Sequence, residues 1–181
     1  KRTHRCTEVS AANIGETVTV MGWVQTRRNL GALIFVDLRD RSGILQILFD
    51  ENTVGSEGFK KAYGIRNEYV IAVVGKVQKR SGAVNENLKT GDIEVVAEQI
   101  RVLSESETPP FPIEENINTK EDLRLKYRCL DLRRPDLQSN IMMRSKVATL
   151  TRALLANEGF LEIETPMLTK STPEGARDYL V

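Results

Sequence analysis

Histidine is almost absent: His4 is the only one in 181 residues. One histidine cannot build a multi-His metal centre or a His-based catalytic triad within these residues. Cysteine is nearly as scarce. Cys6 and Cys129 lie far apart and form no CxxC or Cys/His pattern, so they read as free, buried thiols of a reducing cytosol. No apolar run approaches the ~18 residues of a membrane-spanning helix. Lys1-Arg2-Thr3-His4-Arg5 leads into polar sequence, not the apolar stretch of a secretion signal. A dominant charge is also missing, with 26 Lys and Arg against 25 Asp and Glu. Residues 1–103 carry 15 basic against 12 acidic side chains, and residues 104–181 carry 11 against 13. This mild asymmetry permits local contact with a polyanion without arguing for it.

What is present is alternation. Thr17–Arg28 places Val18, Val20, Gly22 and Val24 on one face. Leu33–Arg39 turns Ile34, Val36 and Leu38 inward and Phe35, Asp37 and Arg39 outward. Ile44–Asp50 turns Leu45, Ile47 and Phe49 inward and Gln46 and Leu48 outward. These period-2 patterns predict three strands. Ser56–Ile65 predicts a short helix capped by Ser56, with Phe59, Ala62, Tyr63 and Ile65 at helical spacing. Strands over Tyr69–Arg80 and Asp92–Val102 follow, separated by a polar Gly/Asn-rich loop. Three strands, a helix and two strands is the order of an OB-fold, a five-stranded β barrel. Its second and third strands and flanking loops form the usual face for oligonucleotides or oligosaccharides.

Past residue 103 the character changes. Ser104–Asn118 holds Pro109, Pro110 and Pro112 among glutamates and reads as a linker. Thr119 and Asp122 predict a capped short helix. Pro135 fits the first turn of a longer helix that Gly159 ends, with Met143, Val147, Leu150, Leu154 and Leu155 on one face. A strand halted at Pro166 should follow, then a loop carrying Pro173 and Gly175. One helix and one strand cannot bury each other, so this second part reads as the opening of a larger domain.

Three groups of residues carry chemistry. On the outward face of the first three strands, Phe35 offers a ring for base stacking and Gln46 an amide for a base edge. Arg27 and Arg28 offer guanidiniums for phosphates. The same pattern also fits an exposed Phe among ordinary surface polar residues. The loop from Lys76 to Gly91, with Lys79, Arg80, Asn85 and Asn87, is either a groove wall or a solvated hairpin. Glu174, between Pro173 and Gly175, is either surface decoration or the charge on a closing loop that meets a substrate ammonium.

The run Gly159-Phe160-Leu161-Glu162-Ile163-Glu164-Thr165-Pro166 resembles motif 1 of the class II aminoacyl-tRNA synthetases. A barrel ahead of it is similar to the aspartyl-, asparaginyl- and lysyl-tRNA synthetase subgroup. Arg124–Arg128 and Leu130–Pro135 fit that subgroup's hinge. Arg28-Asn29-Leu30-Gly31, Leu33–Arg41 and Lys170–Val181 resemble the bacterial-type aspartyl-tRNA synthetases; Thr26 and Gly31-Ala32 depart from the pattern.

The resemblance implies an anticodon-binding barrel over 1–103, a helical hinge over 104–136, and the truncated start of an α+β catalytic domain over 137–181. It implies that Phe35 stacks on an anticodon base and that Arg28, Gln46 and Glu94 contact the anticodon, with Arg80 and Asn85 beside them. Glu174 would meet the ammonium of L-aspartate, and Pro166 would belong to a homodimer interface. The whole enzyme would use ATP and Mg²⁺ to attach aspartate to aspartate tRNA through aspartyl-adenylate. A segment without the ATP-binding motifs would be inactive, and no metal site is expected within it. Whether asparagine tRNA is also charged stays open, with Leu30 and Gly82 as the positions to watch. An asparaginyl or lysyl relative would lack the 173–179 run. A non-enzymatic nucleic-acid-binding barrel would have no reason to carry residues 137–181.

Overall fold

A computed structural model describes residues 1–167. The chain divides into two compact units, Lys1–Pro112 and Ile113–Val181.

The first unit is a closed barrel of β1 (Thr17–Asn29), β2 (Leu33–Asp40), β3 (Gly43–Asp50), β4 (Val70–Lys79) and β5 (Ile93–Ser104), with α1 (Glu51–Gly64) between β3 and β4. The strands run in the order β1-β2-β3-β5-β4, and β4 pairs back onto β1. All pairings are antiparallel except β3 with β5, which is parallel at Ile47↔Val95 and Leu48↔Val96. Closure leaves no long unpaired edge. The inward positions expected from alternation are buried: Val18, Val20, Val24, Ile34, Val36, Leu38, Leu45, Ile47 and Phe49 form the core with Ile71, Val73, Ile93 and Val95. Gly22 is required by packing, since a Cβ there would lie 2.3 Å from the Arg39 carbonyl oxygen.

Two expectations need correction here. Gln46 and Leu48 do not face solvent; they are 3% and 7% exposed, so β3 is covered on both faces. For Gln46 the cover is a polar network described below, which alternation cannot foresee. The helix begins at Glu51, not Ser56, because Asp50 caps it by accepting the Asn52 N–H. Gly55, at φ +75°, breaks the helix, so Ser56 marks only its resumption. Ala62 and Ile65 are buried and Phe59 packs on the core, whereas Tyr63 is exposed.

An N-terminal strap crosses the β2–β3 turn. Cys6 N–H donates to Asp40 Oδ2 at 3.0 Å and Thr7 N–H to Ser42 Oγ at 3.0 Å. Asp40 Oδ1 accepts from the Ser42 N–H and hydroxyl at 2.7 and 2.6 Å. Burial alone would push the Asp40 carboxyl up. The hydrogen bonds from Ser42, Cys6 and Gly43 outweigh burial and hold it below the usual carboxylate range. The Cys6 thiol is driven far up by burial and by the Asp40 charge beside it. Cys129 is exposed, contrary to the expectation of two buried thiols.

In the second unit, α2 (Glu121–Lys126) and α3 (Arg128–Asp131) precede α4 (Pro135–Asn157). The N-cap of α2 is Lys120, with no side-chain cap bond, so Thr119 and Asp122 do not form the expected box. Asp131 is fully buried and accepts from Arg124 at 2.9 Å, Arg128 at 2.6 Å and Arg134 at 3.1 Å. Burial would raise its pKa, but the Arg124 and Arg134 guanidiniums lower it on balance. Pro135 opens α4 and Gly159, at φ +85°, follows its end. Its expected apolar face forms, but Met143, Val147, Leu150, Leu154 and Leu155 are 44–69% exposed.

Residues 160–166 do not form the expected strand. A strand takes its hydrogen bonds from a neighbour, and the second unit has no other strand among the described residues. Pro166 therefore lies in irregular, exposed chain. Glu174 lies outside the described residues.

Candidate nucleic-acid interface

A row of polar side chains crosses all five strands on the outer face of the barrel. Strand pairing puts Thr26 of β1 opposite Asp37 of β2, Asp37 opposite Gln46 of β3, and Gln78 of β4 opposite Glu94 of β5. Side-chain bonds join them: the Thr26 hydroxyl donates to Asp37 Oδ2 at 2.6 Å, and Gln46 Nε2 donates to Glu94 Oε2 at 2.7 Å. Gln78 Nε2 and the Ser81 N–H donate to Glu94 Oε1 at 2.9 and 3.1 Å. Two guanidiniums close the row over Gln46 Oε1, Arg28 at 3.2 Å and Arg80 at 2.6 Å.

Local sequence explains the walls. Asn29 Oδ1 accepts the Gly31 N–H, and Gly31 takes φ +76°, which turns the chain between β1 and β2 and leaves Leu30 70% exposed at the tip. After β4, the loop is pinned. Asn85 N–H donates to the Gly91 carbonyl, and the Thr90 hydroxyl to the Ile44 carbonyl at 2.6 Å. Only glycine fits at 91, where a Cβ would come 1.8 Å from the Asn85 oxygen.

Between these walls lies a pocket of about 400 Å³. Arg28 and Leu30 line it from β1 and its turn, Phe35 from β2, Gln46 from β3, and residues 80–83 from the loop. The Arg28 guanidinium carbon stands 5.9 Å over the centre of the Phe35 ring. Arg80 Nη1 is buried with no hydrogen-bond partner, so the site holds an unspent donor. A flat aromatic, two guanidiniums and a fixed amide in one open pocket suit a stacked base with a phosphate nearby.

Of the residues singled out from sequence, Arg28, Phe35, Gln46, Arg80 and Glu94 meet here, with Leu30 and Gly82 on the pocket lining. Glu94 is fully buried behind Gln46. Asn85 is not on the lining; its Oδ1 accepts the Asn87 N–H within the loop. Thr26, Asp37, Gln78 and Ser81 were not singled out as site residues. The outward register of Asp37 and Gln78 was a usable signal, but the Ser81 backbone contact had none.

Residues 18–103 match the model of the OB-fold nucleic acid binding domain. Residues 120–181 match the model of the class II tRNA synthetases (D, K and N). The aspartate–tRNA(Asp/Asn) ligase of Lachnoclostridium phytofermentans is 74% identical over 99% of this chain and 30% of its own length. The aspartate–tRNA ligase of Agathobacter rectalis is likewise 74% identical, with the same coverage. Over nearly its whole length the chain is similar to aspartate–tRNA ligases. Among solved structures, the aspartyl-tRNA synthetase of Entamoeba histolytica aligns with a TM-score of 0.84 at 25% identity, covering 96% of this chain and 41% of that one. The chain thus spans about 30% of the length of the curated relatives it matches. The barrel strands fall almost wholly within the first matched region, and α2 and α3 lie within the second.

Proposed function

We propose that the barrel reads the anticodon of aspartate tRNA and that the whole enzyme joins L-aspartate to that tRNA. The observation that carries this reading is the pocket itself. Phe35, Arg28 and Gln46 on the face of β1–β3 stand together with Arg80 of the loop after β4, in a domain of the nucleic-acid-binding class. Phe35 stacks on a base, Gln46 bonds to a base edge, and Arg28 with Arg80 balances the phosphate charge. Two relatives of equal identity carry the names tRNA ligase and tRNA(Asp/Asn) ligase, so the names leave asparagine tRNA open. Leu30 is exposed and Gly82 has open space around it, so both are positions where a side chain would alter which anticodon enters. ATP and Mg²⁺ serve adenylate formation in the whole enzyme, with Glu174 facing the aspartate ammonium. The described residues hold no group of three or more His, Cys, Asp or Glu that could take a metal ion. Homodimer formation through the Pro166 region and a cytoplasmic location complete the reading. No described helix is long and apolar enough to cross a membrane.

The test is binding of RNA hairpins to the chain. A hairpin with the aspartate anticodon should bind at physiological salt, weaken steeply as salt rises, and outcompete an unrelated hairpin. Equal affinity for both would overturn anticodon reading and leave only charge attraction.

A further inference from the structure

We infer that Glu94 does not touch the anticodon but acts as a positioning residue that holds the Gln46 amide in one of its two orientations; this rests on the anticodon reading above. Glu94 is 0% exposed, and its two oxygens already accept three donors: Gln46 Nε2, Gln78 Nε2 and the Ser81 N–H. A carboxylate only accepts, so the Gln46 group facing it is the NH₂. The amide oxygen is thereby turned to Arg28 and Arg80, and those two guanidiniums also only donate. Each side of Gln46 enforces the other. Arg28 and Arg80 occupy Gln46 Oε1, and Glu94 takes one Nε2 proton. Gln46 then has one group left for a base, the second Nε2 proton. It selects a base edge that presents an acceptor such as a carbonyl and disfavours an amino group there.

Glu94→Gln breaks this logic while keeping the shape. If the new amide oxygen keeps the Ser81 and Gln78 donors, its NH₂ faces the Gln46 NH₂. Gln46 must then flip, and the flip sets its NH₂ against two guanidiniums. Either arrangement leaves donors facing donors.

The experiment uses the 181-residue chain and hairpins in which each anticodon base is exchanged between carbonyl and amino forms, U with C and G with A. In the parent chain at least one position should favour the carbonyl form by about tenfold. Glu94→Gln should erase most of that preference with the salt slope unchanged, since no phosphate contact is lost. Asp40→Asn, at the other end of β2, controls for stability and should leave the preference intact. A ligand-free readout separates the two claims. In the parent, NMR should show the Gln46 side-chain amide as a resolved pair with one proton shifted by the Glu94 bond, and Glu94→Gln should abolish that shift. An unaltered amide signal, or an unchanged base preference in Glu94→Gln, overturns the positioning role. Absence of any base preference in the parent, with the amide still held, overturns anticodon reading instead.

Discussion

Phe35 stands half-buried on the outer face of β2, one residue from Ile34 and Val36, which are fully buried on the inner face. Its ring therefore serves the pocket more than the core. Phe35→Ala should weaken hairpin binding by about 1–3 kcal/mol, the usual worth of a base–aromatic stack. Thermal unfolding of the same variant should move little. A loss of ~3–5 kcal/mol in stability would instead mark Phe35 as a core side chain. The two cysteines separate just as sharply. Cys6 is buried with its thiol pKa driven up, and Cys129 is exposed. A thiolate-seeking alkylating reagent should label Cys129 in the native protein and reach Cys6 only after denaturation; peptide mapping by mass spectrometry reads both. Residue identity was legible at this scale wherever alternation governs, as at Ile34, Phe35 and Val36. It failed for Gln46, whose burial depends on partners from other strands. Polar residues at outward positions predict exposure until a network across strands covers them.

At the scale of elements, the barrel strands were readable because each buries one face, and a one-residue slip would expose every core side chain. The start of α1 was less readable. Its cap, Asp50, is also the last residue of β3, and Gly55 interrupts the helical pattern. The segment 160–166 shows the opposite failure: strand-like residues without a neighbouring strand among the described residues stay irregular. The N-terminal strap was not legible at all, because a single carboxylate, Asp40, gathers it. That carboxyl has a folded pKa below its unfolded value near 3.9. Its stabilisation is fully present above that value and is lost as pH falls through the lower folded pKa. Denaturant midpoints should accordingly drop as pH falls below about 4. Asp40→Asn should flatten part of that acid dependence and cost about 1–3 kcal/mol at neutral pH, since one of the two oxygens that take donors from Cys6, Ser42 and Gly43 becomes an NH₂. An acid profile identical to the parent's would place the titration in another carboxylate, with Asp131 the first to examine because its arginines also lower its pKa.

The molecule as a whole has its stability unevenly distributed. Every member of the main hydrophobic cluster, from Cys6 to Ala97, belongs to the first unit. The barrel also closes its own hydrogen-bond ladder, so its central amides can exchange only when the sheet opens. In the second unit, α4 has no buried residue along its 23 residues, and the main fixed point is the buried Asp131 with its arginines. A helix without a packed face is marginal in water even when well capped. Hydrogen exchange of the 181-residue chain should therefore resolve two classes. Amides of Val20, Ile34, Ile47, Val73 and Val95 should exchange slowest, near the limit set by global unfolding. Those of α4 should exchange by local opening, faster by at least about two orders of magnitude, a gap of roughly 3 kcal/mol in opening free energy. Addition of the anticodon hairpin should slow the barrel amides further, because a ligand that binds only the folded form stabilises it by mass action. It should leave the α4 amides unchanged if the RNA engages the Phe35 face alone. Protection that spreads into α4 on adding the hairpin would show that the second unit also holds RNA, and the interface would extend beyond the barrel.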